Sequence, residues 1–323
     1  MCSILGFAWT PELHAHTNVS SDAGLPVAIY IRFARQRAAL FALLYLVVLA
    51  VAAAVVPMAL DYEYDTQDRS LSAVPSPPDR NHVLGTDALG QDVFARLFVG
   101  ARLSLVVASA VVALQVCLGL VIGLAAGFGG RRADALLMSI TDMMLALPTL
   151  LLVILLVAVL QPSTPVASAV VIVLALAATS WPTTARIVRG QALSLRERAW
   201  VESARALGLT EWRVVTRHVV PSLVGPILVA VTVGFGQTVL AEAGLSFLGL
   251  GIQPPFPSWG QMIEEGRSFV RVAPTLLVLP SLLLTSTVFA MSTLANALQG
   301  STAGSRGSAR RWSATPSSIG TPS

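Results

Sequence analysis

The chemistry this chain can perform is bounded by what it lacks. Its 21 basic residues are all arginine, and there is no lysine. A phosphate-binding loop needs a lysine on the phosphates, and Schiff-base chemistry needs an amine. Neither is available, so ATP hydrolysis on this chain is not expected. Gly244-Leu245-Ser246 puts a hydroxyl in an apolar run, but a serine nucleophile there needs a base at the same depth. The four histidines, His14, His16, His82 and His218, all lie outside the apolar runs. No His-Glu-x-x-His occurs. The two cysteines, Cys2 and Cys117, make neither a disulfide framework nor a cysteine zinc site. His14 and His16 read as part of a polar tail rather than as metal ligands. No catalytic residue and no metal ligand is expected.

Polar chemistry concentrates instead in 186–222, where seven arginines lie: Arg186, Arg189, Arg196, Arg198, Arg205, Arg213 and Arg217. The stretch has helical grammar. Ser194 and Glu197 form a capping-box pattern, which predicts a helix from Leu195. Trp200, Val201, Ala204 and Leu207 then share one face at helical spacing. Arg198, Glu202 and Arg205 fall on another, where Glu202 can pair within the helix. Gly208 suits a left-handed cap, Thr210 starts a second short helix, and Pro221 separates it from the next apolar run. Such a stretch can be a solvated face, an amphipathic helix resting on anionic headgroups, or a surface for a partner.

The elements that hold this loop are membrane spans. Hydrophobic residues make up 54% of the 323 and charged residues 12%, about half of what is usual in soluble domains. Six runs are long enough to cross a bilayer as helices: 39–58, 103–128, 136–160, 166–185, 223–245 and 274–298. The chain is therefore expected to be an all-α integral membrane protein. With the N-terminus inside, 15 of the 21 arginines fall in inside segments, which favours both termini and 186–222 in the cytoplasm. The expected layout is a cytoplasmic N-terminal segment 1–38 without a secretory signal, and a membrane domain 39–298. That domain carries an acidic, proline-dotted external loop 59–101. A disordered cytoplasmic tail follows at 299–323, rich in Ser, Thr and Gly.

Within the spans, Gly119, Gly123 and Gly127 recur every four residues and mark a face for close helix packing, internal or with a partner. Pro148, Pro182, Pro226 and Pro280 are candidate kinks. Glu242 and Gln237 are polar residues of the fifth span and candidates for a translocation path or gate; Glu242 also reads as a hydrogen-bonded anchor. Asp142 is placed to pair with an arginine of the loops.

Glu202-Ser203-Ala204, Gly208, His218 and Pro221 together resemble the Glu-Ala-Ala loop of permease subunits in bacterial ABC importers. That pattern is Glu-Ala-Ala, three residues, Gly, nine residues, an apolar position, one residue, then Leu-Pro. His218 occupies the apolar position, which looks like the peptide-transporter branch; Ser203 and Val220 are mild departures. His82-Val83-Leu84-Gly85-Thr86-Asp87, Leu89-Gly90 and Asp92 are similar to the external loop of the peptide-transporter branch, and Ala243 to Trp259 to its motif after the fifth span. The resemblance covers 29–298 and is nearest to the C-type subunit of dipeptide, oligopeptide and nickel importers. Met291 to Ala297 departs from the family's usual ending.

The resemblance implies a type I ABC importer permease fold in the bacterial plasma membrane. It implies a heterodimer with a homologous permease, two ABC ATPase subunits that hold ATP and Mg, and an extracytoplasmic solute-binding protein. No nucleic acid is implied. Trp200, Val201, Glu202, Ala204, Ala206, Gly208 and Pro221 become the expected ATPase-coupling residues, with Trp200, Val201, Ala204 and Leu207 docking in an ATPase cleft. Peptides are the expected substrate, with nickel chelates, glutathione-like peptides and oligosaccharides as alternatives. An independent channel or carrier and an intramembrane hydrolase are the rivals from other classes.

Overall fold

The computed structural model of the chain describes residues 37–59, 75–80, 82–160 and 162–311. All regular structure among them is helical, apart from one isolated bridge between Thr86 and Asp92. Helix α1 spans Arg37–Ala59, α2 Val93–Phe128, α3 Gly130–Ala146, α4 Thr149–Leu160 and α5 Pro165–Arg196. The polar loop holds α6 (Ala199–Ala206), α7 (Glu211–Val214), a π-helical turn Val215–Val219 and a last turn α8 (Val220–Ser222). Then come α9 (Val224–Phe247), α10 (Trp259–Arg267) and α11 (Thr275–Arg311).

Five of these helices are long and apolar enough to cross a membrane unbroken: α1, α2, α5, α9 and α11. The third expected span, 136–160, is not one helix. It breaks between α3 and α4, whose axes differ by 86°. Pro148 is the cause. It has no N–H to donate and its ring crowds the preceding turn, which pushes Leu147 into extended backbone (φ −91°, ψ 137°). Pro182 and Pro280, by contrast, lie inside α5 and α11 without ending them.

Three boundaries differ from the apolar runs. The loop 59–101 ends early, because Asp92 caps α2 by accepting the Ala95 N–H at 2.8 Å and starts the helix at Val93. The fourth span runs past 185 to Arg196, so α5 is about 48 Å long and forms the first third of the polar loop itself. The tail expected to be disordered from 299 stays helical to Arg311; no proline interrupts it before Pro316. The rest of that tail, most of 1–38 and residues 60–74 lie outside the described residues.

The core is built in layers along the bundle. On the side away from the polar loop, Leu49 and Ala53 of α1, Val93 and Leu97 of α2, Val239 and Ala243 of α9, Trp259 of α10 and Leu276 of α11 pack together. Trp259 is fully buried and donates its indole N–H to the Leu97 carbonyl at 3.2 Å. A second cluster joins α2 and α4 to α5 through Val107, Val111, Val153, Val157, Ile172 and Leu176. Helix α2 lies close against α5. A Cβ on Gly119 would come within 2.6 Å of the Thr184 side chain, one on Gly123 within 2.7 Å of the Ala185 carbonyl oxygen, and one on Gly127 within 2.7 Å of Ala192 Cβ. The glycine repeat thus serves packing inside the chain. Gln115 extends the same seam, donating to the Thr184 hydroxyl at 3.0 Å.

The far-side loop is a clasp. Gly85 turns with φ +79°, and a Cβ there would meet the Ser76 carbonyl oxygen at 2.3 Å. Asp87 accepts the Leu89 and Gln91 N–H groups at 2.8 and 2.9 Å and is ion-paired with buried Arg96 of α2. Arg96 also reaches Glu265 of α10 at 3.0 Å, and His82 Nδ1 lies 2.8 Å from Asp92 Oδ2. The His82 to Asp92 motif therefore fixes its own loop to α2 and α10.

Candidate coupling loop and path-facing residues

The polar loop is a small folded unit standing on the end of α5. Its own core is Val188 of α5, Val201 and Ala204 of α6, Val214 of α7, Val219 and Leu223, flanked by Leu120, Leu124 and Phe128 of α2. That settles which way α6 faces. Val201 is fully buried and Ala204 nearly so. Their side chains hold α6 to its own chain and are not presented outward. The shared apolar face of Trp200, Val201, Ala204 and Leu207 is split: Trp200 is 38% exposed and Leu207 83%. Trp212 of α7 adds a third outward apolar side chain at 77% exposure, and sequence reasoning missed it. Its signal was a tryptophan between Glu211 and Arg213, a large apolar residue with charged neighbours on both sides.

The helix start expected at Leu195 is also displaced. Leu195 belongs to α5 and packs against the loop core; Arg198, in extended backbone, is the residue that precedes α6. Ser194 makes no cap, because the helix of the fourth span runs through it. The turn after α6 is as the glycine required. Gly208 has φ +79°, and the Leu209 N–H returns to the Ala204 carbonyl at 3.2 Å, the long bond of a left-handed helix end. Arg205 turns to Glu211 of α7 at 2.8 Å rather than to Glu202. Glu202, Ser203, Ala206, Leu207 and Gly208 form an exposed edge. Pro221 is exposed in α8, directly after the π-helical turn, whose extra residue shifts the register before α9 begins. His218, carried on that turn, sets its ring beside Trp200, tilted by 57° with centroids 5.7 Å apart.

The two polar residues of the fifth span have opposite surroundings. Glu242 is 1% exposed and accepts hydrogen bonds from the hydroxyls of Ser246 at 2.8 Å and Ser104 at 3.1 Å. It is an internal anchor between α2 and α9. Gln237 is exposed and lines a cleft of about 180 Å³ between α9 and α11, together with Thr232, Ser292, Asn296 and Gln299. Asp142 does pair with a loop arginine, Arg186, at 2.5 Å. A second pair was not foreseen: Arg189 grips Asp134 with two nitrogens, Nη2 to Oδ2 at 2.7 Å. Among the described residues, no group of three metal-ligating side chains occurs.

A membrane bundle of bent and continuous helices, with a folded polar loop presenting an exposed edge beside a glycine turn, is the arrangement of a transport permease component. Residues 119–301 match the family described as binding-protein-dependent transport system inner membrane component, and the chain belongs to that family. Residues 28–78 match the N-terminal transmembrane domain of oligopeptide transport permease C. The oligopeptide transport system permease protein OppC of Bacillus subtilis is 35% identical over 83% of this chain and 86% of its own length. The glutathione transport system permease protein GsiD of Pectobacterium atrosepticum is 36% identical over 83% and 87%. The dipeptide transport system permease protein DppC of Alkalihalophilus pseudofirmus is 38% identical over 69% and 71%. Among solved structures, an inward-facing MetNI methionine ABC transporter matches with a TM-score of 0.49 at 18% identity, over 64% of this chain and 97% of that one. The chain is a membrane permease component of an ABC transporter and not itself the ATPase.

Proposed function

We propose that this chain is the C-type permease of an ATP-driven importer for di- and oligopeptides, forming its path with a homologous second permease. Two ATPase subunits, which would hold ATP and Mg, dock on the polar loop, and an extracytoplasmic binding protein delivers the substrate. Both termini and the loop are cytoplasmic in this reading, which the arginine bias supports. The observation that carries it is the exposed edge of α6 and α7. Trp200, Leu207 and Trp212 are outward on a unit whose own core is already filled by Val201, Ala204 and Val214. Large aromatic and aliphatic groups held rigidly at a surface are the usual anchors of an interface. Exposed Glu202 beside them sets register by charge.

The residues then divide by role. Gly208 and Ala206 allow close approach at the edge, Val201 and Ala204 make it stiff, and Pro221 fixes how the loop enters α9. Closure of the ATPases on ATP displaces this edge, and α5 and α9, which leave the loop at its two ends, carry the displacement into the bilayer. Gln237 and its polar neighbours face the path or the second permease. The peptide assignment is supported by the names of the relatives, which include oligopeptide, dipeptide and glutathione permeases. The test is uptake of labelled peptides into liposomes containing this chain, its second permease, both ATPases and the binding protein. ATP-dependent peptide uptake is expected. Uptake of nickel or oligosaccharide in its place, or flux through this chain without the ATPases, would overturn the reading.

A further inference from the structure

Two prolines mark the boundary between a loop-side part and a far-side part of neighbouring helices. Pro148 separates α3 from α4, and Pro182, inside the continuous α5, has no N–H to give to the helix and leaves one backbone carbonyl of the preceding turn without its helical donor. The far-side parts are fastened to each other by apolar packing of Val153 and Val157 against Ile172, Ala175 and Leu176. The loop-side parts are fastened by charge. Asp134 of α3 receives Arg189 of α5 through two nitrogens, and Asp142 of α3 receives Arg186.

Among the described residues of this chain, little else covers α3. Thr141 is its only buried residue, and Leu136, Ile140 and Met143 are exposed. Each end of α3 is a joint. Gly130, at its start, has φ +83° with nothing within 4 Å of where a Cβ would stand, and the other end is the Leu147–Pro148 break. The two ion pairs are not equal. Arg186 and Asp142 are more than half exposed, and a pair in that setting contributes little. Arg189 and Asp134 are only 33% and 25% exposed and bidentate, which fixes geometry as well as charge. From Arg189 to the end of α5 at Arg196, where the polar loop begins, the helix is continuous.

We propose that α3 is a hinged arm, and that Asp134 and Arg189 are positioning residues which make it follow the loop-side end of α5 about Pro148 and Pro182. Displacement of the loop then opens or closes the angle between α3 and α4, moving the exposed Leu136, Ile140 and Met143 surface relative to the far-side bundle. The proposal rests on the reading of the polar loop as the ATPase contact.

The experiment uses the complete reconstituted transporter, with Cys2 and Cys117 of this chain replaced by serine. Spin labels at Ile140 of α3 and Val170 of α5, both exposed, report the arm's position with and without ATP. The Ile140–Val170 distance is expected to change on ATP binding, and the change to be lost in Asp134→Asn and in Arg189→Gln. In the same preparations each single variant is expected to lower peptide taken up per ATP hydrolysed by about tenfold. The exchange Asp134→Arg with Arg189→Asp is expected to recover most of it. An Ile140–Val170 distance that is the same in both nucleotide states overturns the arm, as do single variants with unchanged uptake per ATP. An exchange as poor as the singles overturns the role of the ion pair. Gly208→Pro, measured alongside, separates the two readings. If it leaves uptake per ATP unchanged, the coupling loop itself is wrong; if it uncouples while the single variants do not, only the arm is.

Discussion

The Ser104 hydroxyl of α2 donates to the Glu242 carboxyl of α9 across 3.1 Å, joining residues 138 apart in sequence. Ser246 donates to the other carboxyl oxygen one helical turn away. A carboxyl so placed, 1% exposed, ties two helices together rather than lining a path. Glu242→Ala leaves both hydroxyls without their acceptor, at a cost of about 1–3 kcal/mol for each buried polar group left unpaired. A clear drop in the melting temperature of the detergent-solubilised chain is expected. Glu242→Gln keeps an acceptor and is expected to retain transport. Loss of transport in Glu242→Gln with an unchanged melting temperature would return Glu242 to the path.

The glycine seam predicts a graded response. Gly123→Ala puts a methyl 2.7 Å from the Ala185 carbonyl oxygen, a backbone atom that cannot turn aside. Overpacking of this kind costs about 1–3 kcal/mol. At Gly190 of α5 a Cβ would meet nothing within 4 Å. Gly190→Ala is therefore expected to raise stability by up to about 1 kcal/mol through helix propensity alone. Thermal unfolding of both variants under one condition checks the contrast, and equal effects would contradict the packing.

Glu265 gives the far-side clasp a pH dependence. Burial holds its carboxyl above the usual range; Arg96 opposes that shift and Asp87 adds to it. A carboxyl whose folded value is raised binds its proton more tightly when folded. Its contribution is fully present below the ordinary glutamate range near about 4.3 and is lost as pH rises through the raised value. Glu265→Gln cannot ionise. The melting temperature of the wild type minus that of Glu265→Gln is thus expected to fall as pH rises from about 4 to about 7. A difference that grows over this range would contradict the assignment.

The exposed edge and the buried face of α6 should fail differently. Trp212→Ala and Leu207→Ala remove outward side chains, so the chain is expected to fold and insert normally while ATPase binding weakens by about tenfold or more, as at interface anchors. Val201→Asp puts a charge into the loop's own core and is expected to destabilise the loop itself, seen as protease cleavage between 195 and 222. Normal ATPase binding by Trp212→Ala and Leu207→Ala together would remove the edge from the interface.

Much of this was legible in the sequence for physical reasons that act locally. A bilayer demands long apolar runs, so five spans stand where hydropathy put them, and Gly208 turns where only a left-handed residue can end α6. Glycines four apart predicted close packing, though not that α5 would be the partner. What was not legible depends on tertiary contacts. Helical periodicity gives α6 an apolar face but cannot say whether its own chain or another covers it, and Val201 and Ala204 turned out to be covered at home. The capping pattern at Ser194 was overridden because α5 enters from the membrane already helical. Pro148 was visible as a kink, but an 86° break was not. Asp134 and Arg189 lie 55 residues apart, and nothing near either one announces the other.

The most direct test of the central claim, that the loop ending at Pro221 couples this permease to its ATPases, is uptake of labelled peptide per ATP hydrolysed in reconstituted transporter carrying Gly208→Pro or Glu202→Arg. Gly208 has φ +79°, which proline cannot adopt, and Glu202 is an exposed charge on the proposed contact edge. Both variants are expected to insert in the membrane in normal amounts and to lose peptide uptake and binding-protein-stimulated ATP hydrolysis together. Normal, coupled uptake in both would contradict the account.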